Sequence, residues 1–103
     1  MYDVIYKNRY IWNKQKAETN YKKHGIHFEQ AVIALEDFFA LDWYDEEHSD
    51  YEDRFVTIGY AGTLIAVSFV IRDQLTRIIS ARKADGEEEG VYNENIRRHI
   101  GER

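Results

Sequence analysis

Apolar and polar positions alternate in several short stretches of this chain, and the pattern predicts a β-rich domain. Six segments have the pattern of strands: 2–6, 9–12, 38–43, 54–60, 64–71 and 75–82. The run 64–71 is almost entirely apolar and rich in β-branched residues, which predicts a central strand covered on both faces. Short turns on either side of this run require antiparallel neighbours.

Three further segments have helical character. The first, 14–24, lies between Asn13, which can cap a helix N-terminus, and Gly25, which suits the left-handed position after a helix. A stripe at helical spacing predicts the second helix: Phe28, Ala31, Val32 and Leu35. The third is predicted over 87–99. The order is therefore ββααββββα, an α+β fold in which two N-terminal helices and a C-terminal helix pack mainly against one face of an antiparallel sheet.

The composition is that of one folded domain, which we expect to span residues 1–103. The chain is 44% hydrophobic and 15% aromatic, which argues against disorder. The absence of Cys excludes disulfides, thiolate metal ligands and cysteine nucleophiles. No apolar run approaches the roughly 18 residues of a membrane helix, and the N-terminus lacks the apolar region of a signal peptide. We therefore expect a cytoplasmic protein without membrane contact.

The net charge of −5 at first argues against a nucleic-acid partner, because such proteins usually have basic surfaces. The charge is strongly segregated, however. Residues 36–53 carry nine acids and no Lys or Arg, whereas 1–35 and 54–86 each have a net charge of +3. The acidic block is either a solvated loop or a docking surface for a basic partner. A local site for RNA is thus compatible with the net charge of −5.

The first candidate site is the basic first helix. Lys16, Asn20 and Lys23 share one stripe of this helix, with His24 beside them. These donors can hold phosphates, or they can form an ordinary solvated helix surface.

The second candidate follows the acidic loop. His48, Glu52 and Arg54 combine a residue type that titrates near neutrality with a carboxylate and a permanent cation. Acid/base catalysis needs such groups within hydrogen-bond reach of a substrate. The alternative is a loop histidine beside strand-edge charges.

The third candidate is the basic end of the last strand, which carries Arg77, Arg82 and Lys83. Simple alternation predicts that Arg77 and Lys83 point to one face of the sheet and Arg82 to the other. Since an unpaired buried guanidinium is costly, these side chains either reach the rim of the sheet or pair with acids such as Glu52 or Asp85. His24 and His27 stand on either side of a helix-ending glycine, and the cluster Asp45-Glu46-Glu47-His48 lacks the rigid spacing of a zinc site, so we expect no metal or other cofactor.

Landmarks along most of the chain fall into a recognisable series. The first block is Trp12-x-x-x-Lys16-Ala17-x-x-Asn20-x-x-Lys23-His24-Gly25-Ile26-x-Phe28-Glu29-x-Ala31. The later landmarks are His48-Ser49, Glu52-x-Arg54-Phe55, Gly59, the block Arg77-Ile78-Ile79-Ser80-Ala81-Arg82-Lys83-Ala84, Glu88 or Glu89, and Tyr92. Together, over residues 10 to 93, they resemble the BrnT toxin family.

The resemblance implies a type II toxin with a RelE-like fold. Such a toxin is a small ribonuclease that cuts RNA and is neutralised by a cognate ribbon-helix-helix antitoxin. Operator DNA is then contacted only indirectly, through the antitoxin. Asn13 and His27 stand where the family commonly has Asp and Ser. The last helix opens with Glu87-Glu88-Glu89, where many relatives are rich in Arg.

The residues at these matched positions suggest a metal-independent mechanism in which the RNA 2′-OH attacks the adjacent phosphate. Arg54 and Arg82 are assigned to the phosphate, and His48 or Glu52 to the base. Lys23 or His24 binds phosphate or acts as the acid.

The supporting basic residues of this mechanism are Arg77 and Lys83. One alternative, favoured by the run Glu87–Glu89, is a catalytically weakened family member that serves as a protein-binding co-repressor. The other is an adaptor unrelated to toxins.

Overall fold

Six strands form one sheet in the computed structural model, which describes residues 2–101. The strands are β1 (Asp3–Tyr6), β2 (Tyr10–Asn13), β3 (Leu41–Tyr44), β4 (Arg54–Tyr60), β5 (Leu64–Arg72) and β6 (Leu75–Lys83). The α-helices are α1 (Lys14–His24) and α2 (Phe28–Leu35), which lie between β2 and β3, and α3 (Gly86–Gly101), which follows β6. A single turn of 3-10 helix, Glu46–His48, lies in the loop between β3 and β4.

The order of strands across the sheet is β1-β2-β6-β5-β4-β3, and this confirms the predicted α+β class. The prediction of a wholly antiparallel sheet is wrong at one pair. β2 lies parallel to β6, with Tyr10 opposite Thr76 and Ile11 opposite Arg77. Hairpin turns determine the direction only of strands that follow one another closely, and β2 and β6 are separated by most of the chain.

The helices cover both faces of the sheet. α1 and α2 pack on one face, which we call the helix face, around a core that includes Trp12, Phe28 and Ile65. α3 packs on the opposite face, where Tyr92 contacts a smaller cluster with Ile58 and Ala66. The two N-terminal helices therefore share a face as expected, and the C-terminal helix does not.

The ends of α1 follow directly from two residues. The Asn13 side chain accepts a hydrogen bond from the Lys16 backbone N–H at 2.9 Å, as its position predicts. Gly25 adopts φ of 72°, and its N–H donates to the carbonyl of Tyr21 at 2.7 Å. His27 precedes α2 and makes no side-chain capping bond.

β3 begins three residues later than the predicted 38–43 segment. The Asp37 side chain accepts a bond from the Phe39 N–H, and the Asp37 carbonyl accepts one from Ala40. These bonds fold the chain into a turn before the strand starts, as a short acidic side chain often does. Phe38 and Phe39 thus lie in the turn rather than in the sheet.

No helix in the described range 2–101 has both the length and the apolar character needed to cross a membrane.

Candidate active site

A bulge in β6 determines which basic side chains meet. Ser68 pairs with Ser80, but the next residue, Phe69, pairs with Ile78, so Ile79 is an extra residue in β6. Side-chain alternation shifts by one position at this point. Arg77 and Arg82 consequently lie on the same face, which corrects the prediction that they lie on opposite faces.

This face is the one opposite the helix face, and we call it the arginine face. Its arginines, by strand register, are Arg54, Arg72, Arg77 and Arg82. Lys83 pairs with Ile65, a core residue of the helix face, so it points away from Arg82. The structure therefore separates Lys83 from the other basic residues of β6.

Arg54 and Arg77 flank Val70 in one row across three strands. Val70 is only 2% exposed although α3 covers a different part of the sheet, because the two arginine side chains lie on either side of it. The Nε atoms of both arginines are buried and have no hydrogen-bond partner within residues 2–101. Buried unpaired donors cost free energy, so they call for a physical or functional explanation.

Two carboxylates lie at the outer end of this row. Glu52 accepts two bonds from Arg72, at 2.6 and 2.7 Å, and Asp3 accepts one from Arg77 at 3.0 Å. The hydrogen bonds from Arg72 lower the pKa of Glu52 below its usual value. Glu52 is therefore a weaker proton acceptor than an ordinary glutamate.

Arg82 is held by the start of α3. Its two terminal nitrogens donate to the two carboxylate oxygens of Glu88, each at 2.9 Å. Glu88 also accepts from the Asp85 N–H, while the Asp85 side chain accepts from the Glu88 N–H, which is a reciprocal helix cap. The pKa of Glu88 is lowered, chiefly by Arg82, and that of Arg82 is raised, chiefly by the bond to Glu88.

His48 lies on the exposed 3-10 turn, where its Nδ1 is 2.9 Å from an oxygen of Asp45. The next residue connects this turn to the arginine face. Ser49 Oγ donates to the Asp45 carbonyl at 2.6 Å and accepts from the Arg54 backbone N–H at 2.9 Å. His48 and Arg54 are thus joined through one short hydrogen-bonded segment.

The basic residues of α1 line an open groove of about 590 Å³ between α1 and β6. Lys16, Lys23 and His24 lie along one side of it, and Ser80 lies on the other. Ser80 also belongs to the arginine face, since it pairs with Ser68 between the rows of Arg77 and Arg82. The groove therefore adjoins the arginine face along β6.

Asn20 lies on the same stripe of α1 as Lys16 and Lys23, but it is only 6% exposed. Its Nδ2 donates to the carbonyls of Ile26 and Ala81, and its Oδ1 accepts from the Ala81 N–H. The amide is thus committed to backbone bonds, and its contribution to the groove is structural.

Sequence reasoning missed Asp3 and Arg72, and it named Glu88 as a family landmark without linking it to Arg82. The partner of Arg77 is 74 positions away, and nothing local indicates it. The spacing Asp85-x-x-Glu88 is, by contrast, that of a reciprocal helix cap, so the approach of Glu88 to the end of β6 had a local indication.

Among the described residues, no group of three or more His, Cys, Asp or Glu side chains is arranged to hold a metal ion.

Comparison with known proteins gives a family-model match over residues 12–88, to the ribonuclease toxin BrnT of type II toxin–antitoxin systems. The chain belongs to the BrnT family. The matched range includes α1, α2, the four arginines of the arginine face and Glu88. BrnT membership therefore identifies the chain as a member of a family of ribonuclease toxins.

A solved structure supports the BrnT assignment. The ribonuclease toxin BrnT of Brucella abortus is 26% identical to this chain, with a TM-score of 0.54. The match covers 72% of this chain and 92% of the Brucella chain. The search of curated proteins found no match.

Proposed function

We propose that this BrnT-family chain is a cytoplasmic endoribonuclease that cuts RNA without a metal ion. A ribbon-helix-helix antitoxin neutralises it, and operator DNA is contacted only through that antitoxin. The observation that carries the catalytic part is the row of Arg54 and Arg77 across Val70, with Arg82 on the same face.

Arginines suit this task because each guanidinium is permanently charged and can bind two phosphate oxygens at once. In RNA cleavage the attacked phosphate gains negative charge, and fixed cations that stabilise this charge are commonly the largest catalytic contribution. The arginine face supplies such cations next to a groove lined by further basic residues. We assign Arg54 and Arg82 to the reacting phosphate and Arg77 to support beside them.

The proposed step is balanced without a co-reactant. The 2′ oxygen forms a bond to phosphorus, the bond from phosphorus to the 5′ oxygen breaks, and a 2′,3′-cyclic phosphate and a 5′-hydroxyl result. A base takes the 2′ proton and an acid gives a proton to the 5′ oxygen. His48 is favoured over Glu52 as the base, since the ion pair with Arg72 lowers the pKa of Glu52.

The groove between α1 and β6 fits the flanking RNA backbone. Lys16 and Lys23 are suited to neighbouring phosphates, and Lys23 or His24 is the proposed acid. Asn20 serves as a positioning residue in this proposal because its amide holds β6 against α1. Lys83 points to the other face, so we give it no direct contact with the reacting phosphate.

The test is cleavage of a defined RNA by the purified protein in EDTA, followed by analysis of the new ends. We expect cleavage to persist and to leave cyclic phosphate and 5′-hydroxyl ends, and we expect Arg82→Ala to lose it. Cleavage that stops in EDTA, or full activity of Arg82→Ala, would contradict the mechanism.

A second candidate function is that of a protein-binding co-repressor with weakened catalysis. The bidentate pair of Arg82 and Glu88 favours it, since both terminal nitrogens of Arg82 are occupied. Expression without an antitoxin separates the two. Growth arrest supports the ribonuclease, and harmless high-level expression supports the co-repressor.

A further inference from the structure

We propose that the antitoxin docks along the outer edge of β3, where an apolar groove and acidic side chains fit an extended segment rich in apolar and basic residues. This inference rests on the proposed function, because it presupposes the antitoxin. The β3 groove has a volume of about 460 Å³ and is lined by Asp42, Trp43, Tyr44, Phe55, Phe69 and Ile71.

The floor of the β3 groove is aromatic. Phe55 and Phe69 are stacked with ring centroids 5.8 Å apart, and Tyr44 meets Phe55 edge-on at 5.8 Å. Ile71, on the same face, is 59% exposed. This is the helix face of the sheet, yet these residues lie outside the core that α1 and α2 cover. An apolar surface of this kind, bordered by polar residues, is typical of a protein interaction site.

The backbone of β3 offers hydrogen bonds beside this floor. β3 is an edge strand, and the Asp45 N–H donates to the carbonyl of Arg54 on β4 at 2.8 Å. Because bonded and non-bonded pairs alternate in an antiparallel ladder, the main-chain groups of Asp42 and Tyr44 point away from β4. An added strand can pair with these groups while its side chains reach the groove.

The charges next to β3 identify the kind of segment that fits. Residues 36–53 carry nine acids and no Lys or Arg. Glu46, Glu47 and Asp50 are exposed and make no ion pair within the described range 2–101. Carboxylates repel the phosphates of RNA and attract Lys and Arg side chains. The groove therefore suits a basic protein segment rather than the substrate.

The test measures binding of the antitoxin encoded beside the toxin gene. We expect the dissociation constant of the unaltered toxin to rise at least about tenfold between 50 mM and 500 mM salt, because the exposed charges become screened. The double variant Glu46→Lys/Glu47→Lys should bind about tenfold more weakly at low salt and lose most of this dependence. The matched control is Glu87→Lys/Glu89→Lys on α3, which makes the same charge change and should bind like the unaltered toxin.

A second pair of variants tests the apolar floor. Ile71→Arg places a repelling cation in the groove and should weaken binding about tenfold or more. Ile5→Arg is its control, since Ile5 is 60% exposed on β1 at the opposite edge of the sheet. All four variants change exposed positions, and a thermal unfolding midpoint like that of the unaltered toxin will show that each one is folded.

Three outcomes overturn the proposal in distinguishable ways. If the toxin cleaves RNA and the groove variants bind antitoxin normally, only the docking site is wrong. If the unaltered toxin does not bind the antitoxin, the docking site and the proposed partner both fail. If the groove variants change only self-association of the toxin, the groove is an interface between copies of this chain.

Discussion

Asn20 acts as a substitute for a neighbouring strand. β2 pairs with β6 only near Tyr10 and Ile11, so the edge of β6 beyond this point lacks a strand partner. The Asn20 amide both donates to and accepts from the backbone of Ala81 at this edge, at 2.9 and 3.0 Å. One buried side chain thereby holds α1 to β6 and keeps the groove beside Ser80 in shape.

Replacing Asn20 tests this role at the scale of a single residue. We expect Asn20→Ala to lower the free energy of unfolding by about 2 kcal/mol, because buried donors and acceptors lose their partners. Hydrogen exchange at the Ala81 amide should also become faster. Asn93→Ala, an exposed change on α3, serves as the control in urea unfolding. Equal stability of the two variants would show that the Asn20 bonds contribute little.

The bulge at Ile79 shows why the site could be predicted only in part. Residue types and motif spacing select Arg54, Arg77 and Arg82 from the sequence as candidates, and the strand register places all three on one face. Which of these share a face depends on one extra residue in β6, and simple alternation gives the opposite result. The bulge is a property of pairing with β5, so residue order along β6 alone does not reveal it.

At the scale of elements, Gly59 allows α2 to lie directly on β4. A Cβ at this position would be 2.0 Å from the backbone carbonyl oxygen of Ala34 in α2. A backbone atom cannot move aside as a flexible side chain can. The close approach of helix and strand therefore depends on the absence of a side chain at Gly59.

We expect Gly59→Ala to lower the free energy of unfolding by about 1–3 kcal/mol, since α2 must shift away from the sheet. Gly90→Ala is the matched control. Gly90 lies in α3 with nothing within 4 Å of its added Cβ, so this change should stabilise the protein by about 1 kcal/mol. Thermal unfolding of both variants will show whether Gly59→Ala loses stability and Gly90→Ala gains it. A neutral Gly59→Ala variant would contradict this account of the helix–sheet packing.

The ion pair between Glu88 and Arg82 joins α3 to β6 and makes stability depend on pH. Because the folded pKa of Glu88 lies below its ordinary value of 4.5, its contribution is present above that pH and is lost as the pH falls through the folded pKa. We therefore expect the loss of stability between about pH 7 and pH 3 to be smaller in Glu88→Gln than in the unaltered protein. The urea unfolding midpoints of both proteins at the two pH values measure this loss of stability.

Glu87→Gln is the control for this prediction. Its carboxylate is exposed and makes no ion pair in the described part of the chain, so this variant should respond to acid like the unaltered protein. Identical acid responses of the Glu88 and Glu87 variants would mean that the pair with Arg82 does not stabilise the fold.

The prediction of elements succeeded where local chemistry decides the outcome. Asn13 and Gly25 define both ends of α1, and the apolar stripe from Phe28 defines α2. The parallel pairing of β2 with β6 and the position of α3 on the arginine face arise from contacts between distant segments. No turn or periodicity in the sequence specifies such contacts, and they had to come from the structure.

At the scale of the whole molecule, the distribution of charge along the chain says more about its partners than the net charge of −5 does. The acidic block includes β3 and the loop after it, and its Glu52 pairs with Arg72, whereas Arg54, Arg77 and Arg82 lie together on the arginine face. An acidic protein thus retains a local cationic surface that suits RNA. On this account, the arginine face cuts RNA, and the edge strand β3 binds the antitoxin on the side of the helix face.

The most direct test compares RNA cleavage rates of two double variants. Arg54→Gln/Arg77→Gln removes the two guanidinium groups that flank Val70, and Arg97→Gln/Arg98→Gln removes two exposed arginines of α3. With unfolding midpoints confirming that both proteins are folded, we expect the first to lose about 10²–10³-fold in rate and the second to cleave normally. Cleavage by Arg54→Gln/Arg77→Gln at the unaltered rate would contradict the assignment of the active site to the arginine face.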